Sequence, residues 1–333
     1  MSKVIVTGGA GYIGSHAVVE LIKSGYEPII LDNYSNSSEI NIDGIKQICN
    51  YPNLIFHHVD CTDLLALNML VSQYTDILAV IHFAAYKSVG ESVQKPKKYH
   101  DNNLGSMESV LQMCQDNGIE NLIFSSSCTV YGNPSKLPVD EKSVFGVPTS
   151  PYGETKQICE KLLEKHSVNS ISLRYFNPIG AHDSTLIGDL SRDNLSNLVP
   201  ILTAVAVGKR DELLIYGDNY NTPDGSCLRD YIHVQDLAES HVKALEFLVK
   251  NKGKSVFNIG TGKGLSVFEA IEIFESSNQL TLNKRVVDRR EGDIESIYSS
   301  CEKANNLLGW KSTSSVKKAM IDAWKWEQYK ATL

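Results

Sequence analysis

The sequence lacks the features that define several classes of protein. Its 333 residues carry a net charge of -7, so the excess of positive charge typical of nucleic-acid-binding proteins is missing. No apolar run approaches the roughly 20 residues of a membrane-spanning helix. The seven cysteines are scattered and none form a C-x-x-C pair, which disfavours a disulfide framework or a zinc site. We therefore expect a cytoplasmic protein that binds neither nucleic acid nor membrane.

Two local features bear on targeting and on metal binding. The first strand-like run begins at Lys3, so we expect no signal or transit peptide. His57, His58 and Asp60 form a small cluster that could suggest a metal. The end of a strand explains this cluster better, because no partner ligands lie at the spacing of a metal site. We expect no metal.

The first half of the chain alternates short apolar runs with amphipathic stretches. This alternation predicts a doubly wound parallel sheet, of the Rossmann type, with helices on both faces. The predicted strands are 3–7, 27–31, 54–59, 78–83, 121–126 and 170–175. The predicted helices are 12–24, 38–50, 63–74, 96–117 and 150–166.

The second half is less regular, with polar loops at 181–197 and 217–229. Its predicted helices are 198–208, 235–250, 266–276 and 314–328. We expect an α/β protein of two parts, a dinucleotide-binding domain at 1–180 and a smaller, mixed α/β substrate domain at 181–333. Because no flexible linker separates the two parts, we expect their boundaries to interleave.

The first predicted strand runs directly into a glycine-rich turn with the spacing G-x-x-G-x-x-G. Its glycines are Gly8, Gly11 and Gly14. Glycine allows the tight turn and the close approach of a pyrophosphate, and the following helix points free N–H groups at that anion. A lone glycine motif is weak, but a strand before it and a helix after it strengthen the prediction.

Asp32 supplies a second signal for the same site. It ends the second predicted strand, where an acidic residue hydrogen-bonds the adenosine ribose. A carboxylate here would repel a 2′-phosphate, which favours NAD over NADP. The turn and this residue together predict an NAD-binding site.

Tyr152 and Lys156 lie four residues apart in a predicted helix, so they share a face. With 15 tyrosines in the chain, about one such pair is expected by chance, so the spacing alone proves nothing. The position of the pair in the predicted fold is the stronger evidence for a catalytic role. It follows a strand that ends in Ser125, Ser126 and Ser127, and ligands of a doubly wound sheet bind at the carboxyl ends of strands.

This arrangement predicts proton transfer from a sugar hydroxyl. A tyrosine in water has a pKa of about 10, and we expect the nearby ammonium and a bound nicotinamide to lower it. The phenolate would then act as a base while the sugar carbon is oxidised. Ser127 can hold the same oxygen, and Lys156 can also bind the nicotinamide ribose.

Seven segments, in order over nearly the whole chain, resemble the UDP-glucose 4-epimerases of the extended short-chain dehydrogenase/reductase family. They are 6–16 (VTGGAGYIGSH), 81–92 (IHFAAYKSVGES), 124–132 (FSSSCTVYG), 150–153 (SPYG), 173–178 (LRYFNP), 229–234 (RDYIHV) and 289–293 (RREGD). The glycine and Tyr-Lys motifs mark only the superfamily. The KSVGES and RREGD runs are much more specific.

The resemblance implies an NAD-dependent isomerase that interconverts UDP-galactose and UDP-glucose through a transient 4-keto sugar and bound NADH. It implies Ser127, Tyr152 and Lys156 as the catalytic residues, with Tyr152 as the base. The implied cofactor contacts are Gly8, Gly11, Tyr12, Ile13, Gly14, Asp32, Asn33, Asn36, Asp60, Cys61, Phe83, Ala84, Lys87, Asn102 and Phe176. The implied substrate contacts are Asn177, Asn197, Arg229, Arg290, Asp293 and Ile297. The family also implies a homodimer built on the helices near 96–117 and 150–166.

The chain departs from the family pattern in two places. Cys128 stands where many relatives carry alanine, and the loop 183–196 differs from the usual pattern, which leaves the shape of the substrate lid open. Ile297 occupies the position that limits the size of the sugar 2-substituent in the family. Arginine side chains suit the sugar diphosphate, although a surface ion pair would also explain Arg229 and Arg290.

Other functions share parts of this pattern. A sugar 4,6-dehydratase typically carries Asp-Glu after the strand-end serine or threonine, but Cys128 and Thr129 stand here. An NADP-linked reductase is opposed by Asp32, and a non-enzymatic nucleotide sensor by the presence of Tyr152 and Lys156. An epimerase for N-acetylhexosamine or pentose nucleotides stays open.

Overall fold

The computed structural model describes residues 1–190, 197–290 and 293–333. The strands are β1 (Lys3–Thr7), β2 (Glu27–Asp32), β3 (Ile55–His58), β4 (Ile77–His82), β5 (Asn121–Ser127), β6 (Asn169–Tyr175), β7 (Asn177–Ile179), β8 (Leu213–Tyr216), β9 (Leu228–Arg229), β10 (Tyr231–His233), β11 (Lys254–Ile259), β12 (Leu265–Ser266), β13 (Lys284–Val287) and β14 (Ser296–Ile297). The helices are α1 (Tyr12–Lys23), α2 (Glu39–Cys49), α3 (Leu64–Val71), α4 (Val89–Gln94), α5 (Pro96–Asp116), α6 (Pro151–Lys165), α7 (Leu198–Ala206), α8 (Val234–Asn251), α9 (Val267–Asn278) and α10 (Val316–Lys330). Residues 191–196 of the predicted loop 183–196, and residues 291–292 of the RREGD run, lie outside the described residues.

A parallel sheet of seven strands forms the centre of the fold. Its strand order is β11-β6-β5-β4-β1-β2-β3. The order reverses between β1 and β4, so the loops after these two strands diverge and leave a crevice at the carboxyl edge of the sheet. The predicted fold class, a doubly wound parallel sheet with a smaller second part, is confirmed.

The side chains of the strands alternate between two cores, one on each face of the sheet. In β1, Val4 and Val6 belong to one buried cluster and Ile5 to the other. In β4, Ile81 faces the first cluster and Val80 the second. This period of two is what an extended backbone imposes, and burial on both faces explains why these strands are continuously apolar.

The second half of the chain both completes the main sheet and builds a smaller part beside it. Strand β11 pairs in parallel with β6, and α8 packs against α1. The smaller part buries its own core between α7, α9, α10 and the strand pair β8–β13. Within the described ranges, none of the helices has the length and hydropathy needed to cross a bilayer.

Eight strands, β7 to β14, and helix α4 were absent from the sequence prediction. Seven of these strands have only two to four residues, which is too short for a pattern to show. Strand β11 (KSVFNI) begins with two polar residues, has exposed or half-buried residues in its first half, and is interrupted by Asn258, so it shows no clear apolar run. Helix α4 has only six residues, which is too short to display a helical period. All the predicted strands and helices are present, with ends that differ by a few residues.

Candidate active site

The glycine turn after β1 is packed too closely for side chains. Gly8 has a φ of +68°, and a Cβ on Gly14 would lie 2.2 Å from the carbonyl oxygen of Gly8. Gly11 is the N-cap of α1, which begins at Tyr12. The turn therefore brings backbone close to the crevice and aims the positive end of α1 into it, which suits an anionic ligand.

Asp32 closes the other side of this turn at the end of β2. Its carboxylate accepts hydrogen bonds from the backbone N–H of Ala10 at 3.0 Å and of Tyr34 at 2.9 Å. Ser37 donates a third bond at 2.8 Å. The side chain thus has a fixed position at the cavity wall, where a ribose hydroxyl can reach it.

Helix α6 brings Tyr152 and Lys156 to the carboxyl end of β5. Ser150 caps the helix by accepting a hydrogen bond from the N–H of Gly153, and Pro151 occupies the first turn. The ammonium of Lys156 donates to the carbonyl oxygen of Ser125 at 2.5 Å and lies 5.8 Å from the centre of the Tyr152 ring. Ser127, at the end of β5, lies close enough to Tyr152 to act on the pKa of its hydroxyl.

The pKa of Tyr152 differs from the sequence expectation. Burial raises the pKa of Tyr152 to about 12, and the hydrogen bond from Ser127 opposes this rise only in part. The expected lowering is therefore wrong for the protein alone, because removal of the phenolate from water costs more than the neighbouring donor returns.

Lys156 titrates lower than an ordinary lysine. Burial lowers the pKa of Lys156 to about 8, although Cys159 and Glu160 act to raise it. The side chain is 3% exposed and lies 4.6 Å from the centre of the Phe124 ring. At neutral pH it is still mainly an ammonium, so it can donate hydrogen bonds at the cavity floor.

A cavity of about 760 Å³ joins the glycine turn to the Tyr152 region. All the predicted catalytic and cofactor residues line it, as do Asn177 and Asn197. The cofactor residues brought together in this way are Gly8, Gly11, Tyr12, Ile13, Gly14, Asp32, Asn33, Asn36, Asp60, Cys61, Phe83, Ala84, Lys87, Asn102 and Phe176. Their individual roles stay predictions.

The other predicted substrate residues are not among the described residues that line this cavity. Arg290 pairs with Asp293 at 2.7 Å, and its guanidinium lies 5.4 Å from the centre of the Tyr216 ring. Ile297 pairs with Arg229 between β14 and β9. Ile297 is 2% exposed and shares a buried cluster with residues of the cavity wall, Phe176 and Cys128 among them.

Sequence reasoning missed several charged or aromatic residues of the cavity wall. They are Asp189, Lys209, Arg210, Trp326, Glu327 and Lys330. They come from the segment before α7, from the turn after it, and from α10. No local motif marks them, because the packing of α10 against α7 and the strand pair β7–β10 brings distant segments to the cavity.

The parallel sheet, the glycine turn and the Tyr-Lys pair define a nucleotide-dependent enzyme of the dehydrogenase type. Comparison with known families places it more closely. Residues 4–260 match the family described as "NAD dependent epimerase/dehydratase family", and the chain belongs to that family.

Similar proteins match this chain over nearly its whole length. A UDP-glucose 4-epimerase of Dictyostelium discoideum is 44% identical over 98% of this chain and 95% of its own length. A crystal structure of UDP-glucose-4-epimerase from Stenotrophomonas maltophila, with bound NAD and formylated UDP-arabinopyranose, has a TM-score of 0.96 and 41% identity, and covers 100% of this chain and 99% of that one. The enzyme from Bifidobacterium longum, in complex with NAD+ and UDP, has a TM-score of 0.95 and 39% identity, with 99% of each chain covered.

Proposed function

We propose that this protein interconverts UDP-galactose and UDP-glucose by inverting the configuration at C4 of the sugar, with NAD as its bound cofactor. The observation that carries the proposal is the position of Tyr152 in the cavity. Its side chain lies in the same cavity as Ser127, Lys156, the glycine turn and Asp32, and the Lys156 ammonium lies 5.8 Å from the centre of its ring. Proton transfer and dinucleotide binding therefore share one site.

The residues present fit a dinucleotide. The glycine turn leaves no space for a Cβ at Gly14, Asp32 lies at the wall with its carboxylate held by three donors, and α1 points its N-terminus into the cavity. When bound, NAD supplies reversible two-electron oxidation of the sugar alcohol and a positive nicotinamide charge that favours the phenolate of Tyr152.

Three residues of this chain carry out and support the proton transfer. Tyr152 takes the proton of the C4 hydroxyl when the carbon is oxidised and returns it when the carbon is reduced. Ser127 holds the same oxygen by a hydrogen bond. Lys156 keeps a positive charge beside the ring and orients the ribose next to it, while burial of the site limits loss of the proton to water.

Elimination of water, as in a 4,6-dehydratase, has less support. That reaction needs an acid–base pair after the strand-end serine. Burial raises the pKa of Cys128 to about 12, so its thiol does not exchange protons readily at neutral pH. Thr129 offers only a hydroxyl, and four relatives at 41–44% identity over nearly the full length are UDP-glucose 4-epimerases.

The test is to incubate the purified protein with UDP-galactose and follow the formation of UDP-glucose. We expect turnover with no net accumulation of NADH, because each cycle oxidises and reduces the same carbon. Steady accumulation of NADH would indicate a dehydrogenase and contradict the proposal. UDP-N-acetylgalactosamine and UDP-pentoses, tested in parallel, decide whether the other epimerase substrates are accepted.

We also propose the division of labour along the chain. Residues 1–180 form the NAD-binding part and 181–333 the nucleotide-sugar part, with interleaved boundaries. The pairing of β11 with β6 and the packing of α8 on α1 support the interleaving. The substrate contacts are Asn177, Asn197, Arg229, Arg290, Asp293 and Ile297, of which Asn177 and Asn197 line the cavity.

We further propose a cytoplasmic homodimer. Helices α5 and α6 pack side by side, and His100 of α5 lies 3.2 Å from Glu154 of α6. The adjacent α4 leaves Val89 and Val93 exposed, and burial of such apolar residues favours association. Light scattering that gives the mass of one chain would contradict the dimer.

A further inference from the structure

A segment outside the predicted site contributes to the wall of the cavity, through Gly180, Asp189 and Leu190. We call residues 180–190 the strap. At its start, the hydroxyl of Tyr12 donates to the carbonyl oxygen of Gly180 at 2.6 Å. Further along, Ile187 is fully buried in the same core cluster as β1 and α1. The strap is therefore attached to the part of the protein that carries the glycine turn.

Asn41, on α2, reinforces this attachment. Its side chain is fully buried and bonds Gly188 in both directions, at 3.2 Å to the carbonyl oxygen and 3.3 Å from the N–H. The same amide donates to the carbonyl oxygen of Ala10 at 2.9 Å. One side chain thus ties the strap to the glycine turn.

The end of the strap is held from the opposite side by α10. The indole N–H of Trp326 donates to the carbonyl oxygen of Asp189 at 3.0 Å. A Cβ on Gly188 would lie 2.6 Å from the Trp326 ring, so the backbone lies directly against it. The position of Asp189 is therefore set by two elements, α2 through Gly188 and α10 through Trp326.

Asp189 is held in this way beside Lys87. Its carboxylate lies 3.5 Å from the Lys87 ammonium, and both residues line the cavity. The same ammonium lies 5.7 Å from the centre of the Tyr12 ring, at the first residue of α1. Lys87 is therefore next to the helix N-terminus, where an anionic ligand binds.

A lysine ammonium is a compact charge with three donors on a flexible stem. The Lys87 side chain is 41% exposed, so on its own it would sample many rotamers. The Asp189 side chain is only 18% exposed, and its backbone is held by the bond from Trp326. It can restrain the ammonium with one donor and leave the other two for an oxygen of a diphosphate.

We propose that Asp189 is a positioning residue for the cofactor. It acts through Lys87 and holds that ammonium over the diphosphate of the bound dinucleotide, so that the strap retains the cofactor between turnovers. The inference rests on the proposed NAD-dependent function and assigns a role to a residue outside the predicted contacts.

The test compares Asp189→Asn with the unchanged protein. Each protein is loaded with NAD, and release is followed by trapping free NAD with a coupled dehydrogenase. A partly exposed ion pair of this kind predicts release that is about two- to fivefold faster in the variant. Asp189→Glu, which keeps the charge, should restore slow release.

Asp43→Asn is the matched control. Asp43 is an exposed residue of α2 that pairs with Lys46, so the same chemical change is made near the strap but away from Lys87. We expect release from this control to match that of the unchanged protein. Equal unfolding temperatures of the apo forms would show that faster release in Asp189→Asn does not come from general loosening.

The outcomes are distinct. Release at an unchanged rate in Asp189→Asn would overturn the proposal. Slower release would also overturn it, since Asp189 would then compete with the cofactor for Lys87. If the unchanged protein holds no NAD and does not interconvert the sugars, the proposed function itself fails.

Discussion

Removal of the Tyr152 hydroxyl is the most direct test of the proposed chemistry. Tyr152→Phe keeps the ring that α6 places in the cavity and deletes only the hydroxyl, which lies beside Ser127. We expect the variant to fold and to bind NAD. The glycine turn, Asp32 and Lys156 are unchanged, and Lys156 keeps its bond to the Ser125 carbonyl oxygen.

The structure predicts very different effects on stability and on rate. The folded state can lose at most one hydrogen bond of the Tyr152 hydroxyl, whose net contribution is about 0.5–1.5 kcal/mol. Part of this loss is offset, because the variant no longer buries a polar hydroxyl. Loss of a positioned base lowers the rate by roughly 10²–10⁴, which corresponds to about 2.7–5.4 kcal/mol of activation free energy. The loss of rate should therefore greatly exceed the loss of stability.

The assay measures kcat for UDP-galactose together with the unfolding temperature and the NAD content. Tyr220→Phe is a matched control, because Tyr220 is 7% exposed and is not among the described residues that line the cavity. It should leave kcat nearly unchanged. Near-normal turnover in Tyr152→Phe would refute the reasoning and assign proton transfer to another group, Ser127 first.

Three further predictions concern specificity and stability. Ile297→Tyr should reduce turnover of N-acetylated UDP-sugars more than that of the plain sugars, because Ile297 is buried against the cavity wall. Discrimination by the bulk of a side chain amounts to about 1–3 kcal/mol. An unchanged activity ratio in a two-substrate assay would contradict a gating role. Asp236→Ala should lower the free energy of unfolding by about 2–4 kcal/mol in urea titrations, because this carboxylate accepts four hydrogen bonds from residues 312–314. A loss under about 1 kcal/mol would mean that water replaces these hydrogen bonds. Although burial acts to raise the pKa of Asp236, those bonds hold it below its usual range, so its stabilisation is present above about pH 4 and is lost as the pH falls through the folded pKa. Urea titrations from about pH 7 to pH 3 should show this loss, with a shallower slope in Asp236→Asn; equal slopes would assign the acid sensitivity to other carboxylates.

The sequence by itself predicted six of the seven strands of the main sheet and the edge at which a ligand is expected. The apolar runs of β1, β2 and β4 are continuous because both faces of a parallel sheet are buried, and the glycine turn and Asp32 are local consequences of the first βαβ unit. Tyr152 and Lys156 could be placed because their helix follows a strand whose carboxyl end must lie at the same edge. Each of these inferences depends on neighbours within a short stretch of chain.

Three features depend on residues that are distant in sequence, and only the tertiary structure revealed them. The pKa of Tyr152 is set by burial, which the spacing of Tyr152 and Lys156 does not reveal. Strand β11 joins the sheet because β6 offers it a free edge, although its own pattern is weak. Asp189 reaches Lys87 across 102 positions of sequence, because Asn41 and Trp326 hold the strap between two parts of the fold. Such contacts arise from the packing of whole elements, and no local pattern of residues encodes them.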